Sequence, residues 1–157
     1  MRFAEWLETV PSEVTNDPIW KLEVYRLALF ADDIGWQDVL CLSKNNLMWG
    51  VADQLHRSLG SISANLTEGY SRSRGLDRAR FMEISLGSAR ESRDWYYKAR
   101  HVLPAEVVKH RMELTTRIIS MLVSMIPHQR KQAIREEQAK YNAQPSDFLL
   151  DTEIPFP

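Results

Sequence analysis

Leu47, Val51, Leu55, Ser58, Ile62, Leu66 and Gly69 follow one another at intervals of three and four, the rhythm of a helix with one buried stripe. The same rhythm predicts three more long helices. Trp20, Leu22, Tyr25, Leu27, Ala28 and Leu40 supply a first, with Asp17 as its N-cap, Pro18 at its first position and Gly35 interrupting its middle. Phe81, Ile84, Ser88 and Trp95 mark a third over 78–101, with Asp77 as N-cap. Val107, Arg111, Leu114, Ile118, Met121 and Met125 mark a fourth that starts at Pro104, with Arg111 the polar interruption. Pro127 should kink or end that helix, since proline lacks the amide donor and crowds the preceding turn. Beyond it, residues 128–141 read as a charged, weakly amphipathic helix and 142–157 as an extended tail. Phe3, Trp6, Leu7 and Val10 form a short amphipathic turn that stops at Pro11.

Short connections at 44–46 and 71–75 make consecutive helices antiparallel neighbours, so the expected fold is all-α, an up-and-down four-helix bundle. The expected organisation is an N-terminal extension (1–16), the bundle (17–126), and a C-terminal helix with its tail (127–157). A chain of 157 residues suits a single domain, which buries roughly two-thirds of the surface its unfolded chain exposes.

Beside the apolar stripes run polar ones. Ser58, Ser61, Asn65 and Glu68 keep helical spacing on the second helix, and Ser85, Ser88, Glu91 and Ser92 line the third. Packed side by side, Asn65 and Glu68 come within reach of Ser85, Ser88 and Glu91 as a hydrogen-bond network in or beside the core. Between the two helices lies a turn with Arg72, Arg74, Arg78 and Arg80 against one acid, Asp77.

The run Ser61-Ile62-x-x-Asn65-x-x-Glu68-Gly69, followed by Arg72, Asp77, Phe81, Gly87-Ser88 and Glu91, resembles the four-helix-bundle proteins encoded in intervening sequences of bacterial 23S ribosomal RNA genes. It is also similar to the accessory proteins of diversity-generating retroelements. The resemblance spans about 20–125 and implies a ring-shaped homo-oligomer, a pentamer, with a nucleic-acid role. Fold analogy alone does not carry activity.

Composition narrows the setting. Hydrophobic residues at 44% and charged residues at 26% fit a globular protein in water. No apolar run approaches the roughly 20 residues of a membrane span, and the N-terminus lacks the apolar core of a signal peptide. Cys41 is the single cysteine, which excludes an internal disulfide and suits a reducing, bacterial-type cytoplasm. The net charge of −1 conceals a segregation. Residues 1–40 carry net −5, residues 41–140 net +7, and residues 141–157 net −3. The body is basic and the flanks are acidic, which suits either a local polyanion site or pairing of flanks with body, within or between subunits.

Three kinds of chemistry are open to these residues. Asn65, Glu68, Ser88 and Glu91 offer paired carboxylates, yet no nucleophile, base and oxyanion donor line up, so the set reads as a structural network with Arg57 and Ser61, and no catalytic residue is assigned. A di-iron bundle needs two Glu-x-x-His pairs, whereas this chain has Asp53-x-x-His56 and Glu106 four residues before His110, so no metal or cofactor is expected. The basic residues are the sharper candidate. Arg72, Arg74, Arg78 and Arg80 precede or open a helix whose amides favour an anion, and Arg90 and Arg93, with Lys98 and Arg100, extend the positive charge. Trp95 is in phase with the core, leaving Tyr96 and Tyr97 at the surface or an interface. The same arginines serve equally as salt-bridge donors to a neighbouring subunit.

The resulting expectation is a non-enzymatic homo-oligomer that contacts RNA or DNA phosphates through a repeated basic patch. The alternative is a structural or adaptor ring for a protein partner such as a reverse transcriptase, with Trp6, Trp20, Phe148, Leu149, Leu150, Ile154 and Phe156 as anchors.

Overall fold

A computed structural model describes residues 2–131. Four long antiparallel helices dominate it: α3 (Glu23–Ser43), α4 (Trp49–Tyr70), α5 (Gly75–Ala99) and α6 (Ala105–Lys131), preceded by the short helices α1 (Phe3–Leu7) and α2 (Ser12–Thr15). Among these, α4 packs most extensively on α5, α5 on α6, and α3 on α4. None is long and apolar enough to cross a membrane.

Local chemistry explains most boundaries. Asp17 does cap a helical start, accepting from the Ile19 amide at 3.0 Å, but the element it opens is a single 3-10 turn, Pro18–Lys21, and α3 begins after it. Asn45 likewise caps the 3-10 turn Asn46–Met48 by accepting from the Leu47 amide, and Leu47 stands 90% exposed rather than in the stripe predicted for it. Arg74, not Asp77, is the N-cap of α5; Asp77 sits inside the first turn, where its charge complements the helix dipole. Helix α6 does not stop at Pro127 but runs through it to Lys131. Val123 and Pro127 are both exposed, so the carbonyl deprived of a partner faces water and the interruption is tolerated. Residues 132–157, including the tail anchors, lie outside the described residues.

The N-terminal extension packs on the bundle. Trp6 is 4% exposed, packs against Phe3, Phe30 and Trp20, and donates its indole N–H to Asp33 at 2.7 Å. Trp20 packs against the core as well, so both tryptophans serve the fold and neither is a free anchor.

Two buried stripes fall mostly one residue away from the expected ones. On α5 it is Tyr96, 1% exposed, that enters the core, while Trp95 is half-buried and Ile84 is 45% exposed. The buried positions are Arg78, Ala79, Met82, Ser85, Ser88, Ala89, Ser92, Tyr96 and Ala99, so Ser88 keeps its expected place in a stripe made chiefly of small or polar residues that let α4 come close. On α6 the buried positions are Val108, Thr115, Ile118, Ile119, Leu122 and Ile126. Helix α3 passes through Gly35 unbroken, and glycine is needed there for packing, since a Cβ would lie 2.4 Å from Leu59 Cδ1 and 3.1 Å from the Tyr96 hydroxyl.

The Tyr96 hydroxyl donates to Asp38 Oδ2 at 3.0 Å, and Arg111 Nε donates to the same oxygen at 2.7 Å. This triad ties α3, α5 and α6 together inside the bundle, with Asp38 only 6% exposed. Burial, and then the Asp38 charge, holds the Tyr96 hydroxyl well above its usual range, so it stays protonated as a donor. Removing the acceptor leaves a phenol and a guanidinium uncompensated. Asp38→Ala should cost about 3 to 5 kcal/mol in urea unfolding, and Asp38→Asn, which keeps an acceptor for Tyr96, should cost less.

Candidate functional site

The residues of the motif converge on the seam between α4 and α5, and the structure divides them into two sets. Ser61, Asn65 and Ser88 form a directed chain of hydrogen bonds. Asn65 Nδ2 donates to the Ser61 carbonyl at 2.8 Å and to Ser61 Oγ at 3.0 Å, Ser61 Oγ lies 2.9 Å from Ser88 Oγ, and Ser88 Oγ donates to the Ile84 carbonyl at 3.1 Å. Each hydroxyl has one proton, so Ser88 giving its own to Ile84 makes Ser61 the donor between the two serines. Deeper in the seam, Ser85 Oγ donates to the Ile62 carbonyl at 2.9 Å. Ser92 Oγ lies 2.9 Å from both Ser58 Oγ and the Ser88 carbonyl and donates to one of them. Ser58, Ser85 and Ser92, all buried, carry more of the seam than the sequence pattern assigned to them.

Glu68, Glu91 and Arg57 do not join this network. Glu68 pairs on the surface with Arg72 one turn on, Glu91 accepts from the Trp95 indole at 3.2 Å, and Arg57 points to solvent. The reason is helical phase: each lies further round its helix from the seam than Ser61, Asn65 or Ser88. Gly69 fills a different need. A Cβ there would sit 2.8 Å from Phe81 Cβ and 3.5 Å from the Arg78 carbonyl, so its absence lets α5 begin directly against the end of α4.

The arginines of the turn have unlike surroundings. Arg78 is 3% exposed, donates its Nε to the Arg72 carbonyl at 2.5 Å, and places its guanidinium 5.7 Å from the Tyr70 ring centroid. Its role is to close the turn between α4 and α5, which removes it from the expected phosphate-binding set. Arg72 is half-exposed and held between Glu68 and the face of Phe81, 5.0 Å from the ring centroid. Arg74, Arg80 and Arg90 are exposed and make no ion pair or side-chain hydrogen bond among the described residues, and the same holds for Arg57. Arg93 is half-buried and leans toward α6, where it donates to Thr116 at 3.3 Å. Along α5, Arg80 and Arg90 fall on its outward side, with Gly87 between them in register. Lys98 and Arg100 are occupied by the faces of Trp95 and Tyr97, at 3.9 and 3.8 Å from their centroids.

Comparison with known proteins bears on this arrangement. The family described as 23S rRNA-intervening sequence protein matches residues 21–124, about two-thirds of the sequence and most of the four long helices. The chain belongs to that family. A crystal structure from Bacteroides thetaiotaomicron VPI-5482, described as a protein with unknown function from the S23 ribosomal protein family, is similar with a TM-score of 0.61. At 22% sequence identity it covers 66% of this chain and 97% of its own, a likeness of fold. No curated protein sequence matches the chain. Within the family match lie all the motif residues from Ser61 to Glu91, so the seam and the arginine turn belong to the shared part, whereas α1, α2 and the residues after 124 lie outside it.

The separation of buried Arg78 from exposed Arg74 predicts unlike stabilities. Arg78→Ala should lower stability by about 2 to 3 kcal/mol, the range for losing a charged hydrogen bond. Arg74→Ala should stay within about 0.5 kcal/mol of the parent. Chemical denaturation of the two variants provides the measurement.

Proposed function

We propose that this protein is a non-enzymatic homo-oligomer that contacts nucleic-acid backbone phosphates through Arg74, Arg80 and Arg90, with Arg72 at the edge of the patch. The observation that carries the reading is the contrast in pairing. Arg72, Arg111, Arg117 and Arg130 are matched by Glu68, Asp38, Glu23 and Glu83, while exposed Arg74, Arg80 and Arg90 have no acidic partner among the described residues. Unpaired guanidiniums on a rigid helix are ready for phosphate oxygens, and such contacts carry little sequence preference. A few arginines bind weakly alone, so a ring of copies supplies affinity by repetition. The absence of catalysis is supported by the seam itself. Ser61, Asn65 and Ser88 are committed to one another and to backbone, and Glu68 and Glu91 are turned outward to separate partners.

Self-association is supported by Gly87. It lies mid-helix on an exposed face, where a Cβ would meet nothing within 4 Å, beside the exposed Ile84. A glycine there costs the isolated helix about 1 kcal/mol relative to alanine and makes no close contact among the described residues. A second subunit approaching from the Ile84 side accounts for it and leaves Arg80 and Arg90 at the rim of that contact, open to phosphate, and the pentamer implied by the family resemblance is the assembly we favour. The likeness to retroelement accessory proteins rests on the sequence pattern alone.

A protein partner, a reverse transcriptase included, is the second reading. The exposed Trp36, Leu40 and Trp49 near the α3–α4 connection favour it, since aromatic anchors dominate protein interfaces.

Binding to single- or double-stranded RNA or DNA should weaken steeply with salt. In the variant with Arg74, Arg80 and Arg90 all changed to Ala, the slope of log K against log salt should fall by about 0.7 to 0.9 per lost contact. No binding at low salt removes the nucleic-acid reading in favour of the protein partner. Separately, Gly87→Leu should leave the helical fold intact while reducing assembly mass in analytical ultracentrifugation; an unchanged mass removes that face from the interface.

A further inference from the structure

The groove between the end of α5 and the start of α6 is open, apolar at its floor and basic at its rim. A cleft of about 680 Å³ lies there, lined by Ala105, Val108 and Met112, with Arg100, Lys109 and Thr116 along its edges. Tyr97, 51% exposed and stacked under Arg100, continues the apolar surface on the α5 side, and Arg93 borders it through its bond to Thr116. Glu113 is the one acid of the lining, and it is the distant partner of Lys109 at 4.0 Å. Nothing among the described residues covers this surface.

The chain carries a segment of complementary chemistry. Residues 147–156 read Asp-Phe-Leu-Leu-Asp-Thr-Glu-Ile-Pro-Phe, in which three carboxylates alternate with apolar anchors and no basic residue occurs. We propose that this segment docks in the α5–α6 groove of its own chain, seating Phe148, Leu150 and Phe156 on the Val108 and Met112 floor and its acids against Arg93, Arg100 and Lys109.

Reach permits it. From Lys131 back to Met112 is roughly 30 Å along α6 at 1.5 Å per residue. The sixteen residues 132–147 span up to about 50 Å when extended. Tethering places the segment near the groove at roughly millimolar effective concentration, so modest intrinsic affinity suffices. Charge opposition steers the segment and its apolar side chains supply the burial. The groove lies on the α6 side of α5, apart from the outward arginines, so this inference stands independently of the nucleic-acid reading.

Cross-linking of the full-length chain tests it. With Cys41→Ser removing the native thiol, Glu113→Cys, at the exposed acid of the lining, and Ser146→Cys are joined by a short bis-maleimide. The control pairs Ser146→Cys with Asn46→Cys, an exposed site in the α3–α4 connection at the same end of the bundle. The groove pair should link within one chain about tenfold faster or more than the control, as docking raises local concentration. Adding Phe148→Ser, Leu150→Ser and Phe156→Ser should return it to the control rate. Equal rates for the two pairs, a rate indifferent to the tail substitutions, or a product joining two chains would each overturn the proposal.

Discussion

The close approach of α4 and α5 is the constraint from which the rest of this bundle follows. Ser85 reaches a backbone carbonyl of the neighbouring helix, and Gly69 leaves room for Phe81 where any Cβ would collide. Both contacts require helix axes nearer than leucine-lined stripes permit. The buried face of α5 therefore uses Ser, Ala and Gly, and the hydroxyls there must be satisfied inside the seam because water is excluded. The serine chain is thus a consequence of proximity: small residues bring the backbones together, and serine keeps the small volume while supplying a bond across it.

That constraint also explains which parts were legible in the sequence. Four helices, their order and their antiparallel course follow from periodicity and the short connections, and α4 matched its expected stripe from Leu55 to Gly69. The stripes of α5 and α6 lie mostly one residue from those that bulk marks. Trp95 outweighs Tyr96 and Leu114 outweighs Thr115, yet in α5 the interior belongs to the small residues and to a tyrosine with a polar anchor across the bundle. The anchor itself left a trace. Arg111 stood out as a polar interruption in an apolar stripe, and its partner Asp38, far away in sequence, becomes its neighbour only when α3 folds against α6.

Within the motif, residue identity did not separate structural from surface roles. Ser61, Asn65 and Ser88 lie near enough to the seam to bond across it or along it, whereas Glu68 and Glu91, a fraction of a turn further round, reach only local partners. The arginines divide in the same way. Arg74 is the N-cap, with extended backbone outside the helix and its side chain exposed, whereas Arg78 lies in the first turn on the face that α5 buries, over Tyr70. Four arginines within nine residues look alike as a cluster, but two precede the helix that starts at Gly75 and two lie on different faces of it.

The charge segregation along the chain gains a physical meaning from the same packing. Much of the acidity of the first 40 residues is spent on the bundle: Asp33 on Trp6, Glu23 on Arg117 and Asp38 on Arg111. The latter two pairs join α3 to α6, so the acidic segment neutralises the helix it lies against. Helix α4 also packs on α3, but the acids of α4 and α5 themselves pair selectively, Glu68 with Arg72, Asp94 with Lys98 and Glu83 with Arg130 of α6. The positive charge left over stands at Arg57, Arg74, Arg80 and Arg90. A near-neutral chain thereby leaves several exposed guanidiniums without an acidic partner among the described residues because many of its acids are engaged by other groups, and an isoelectric point near 6.4 is no guide to the field that a polyanion would meet beside them.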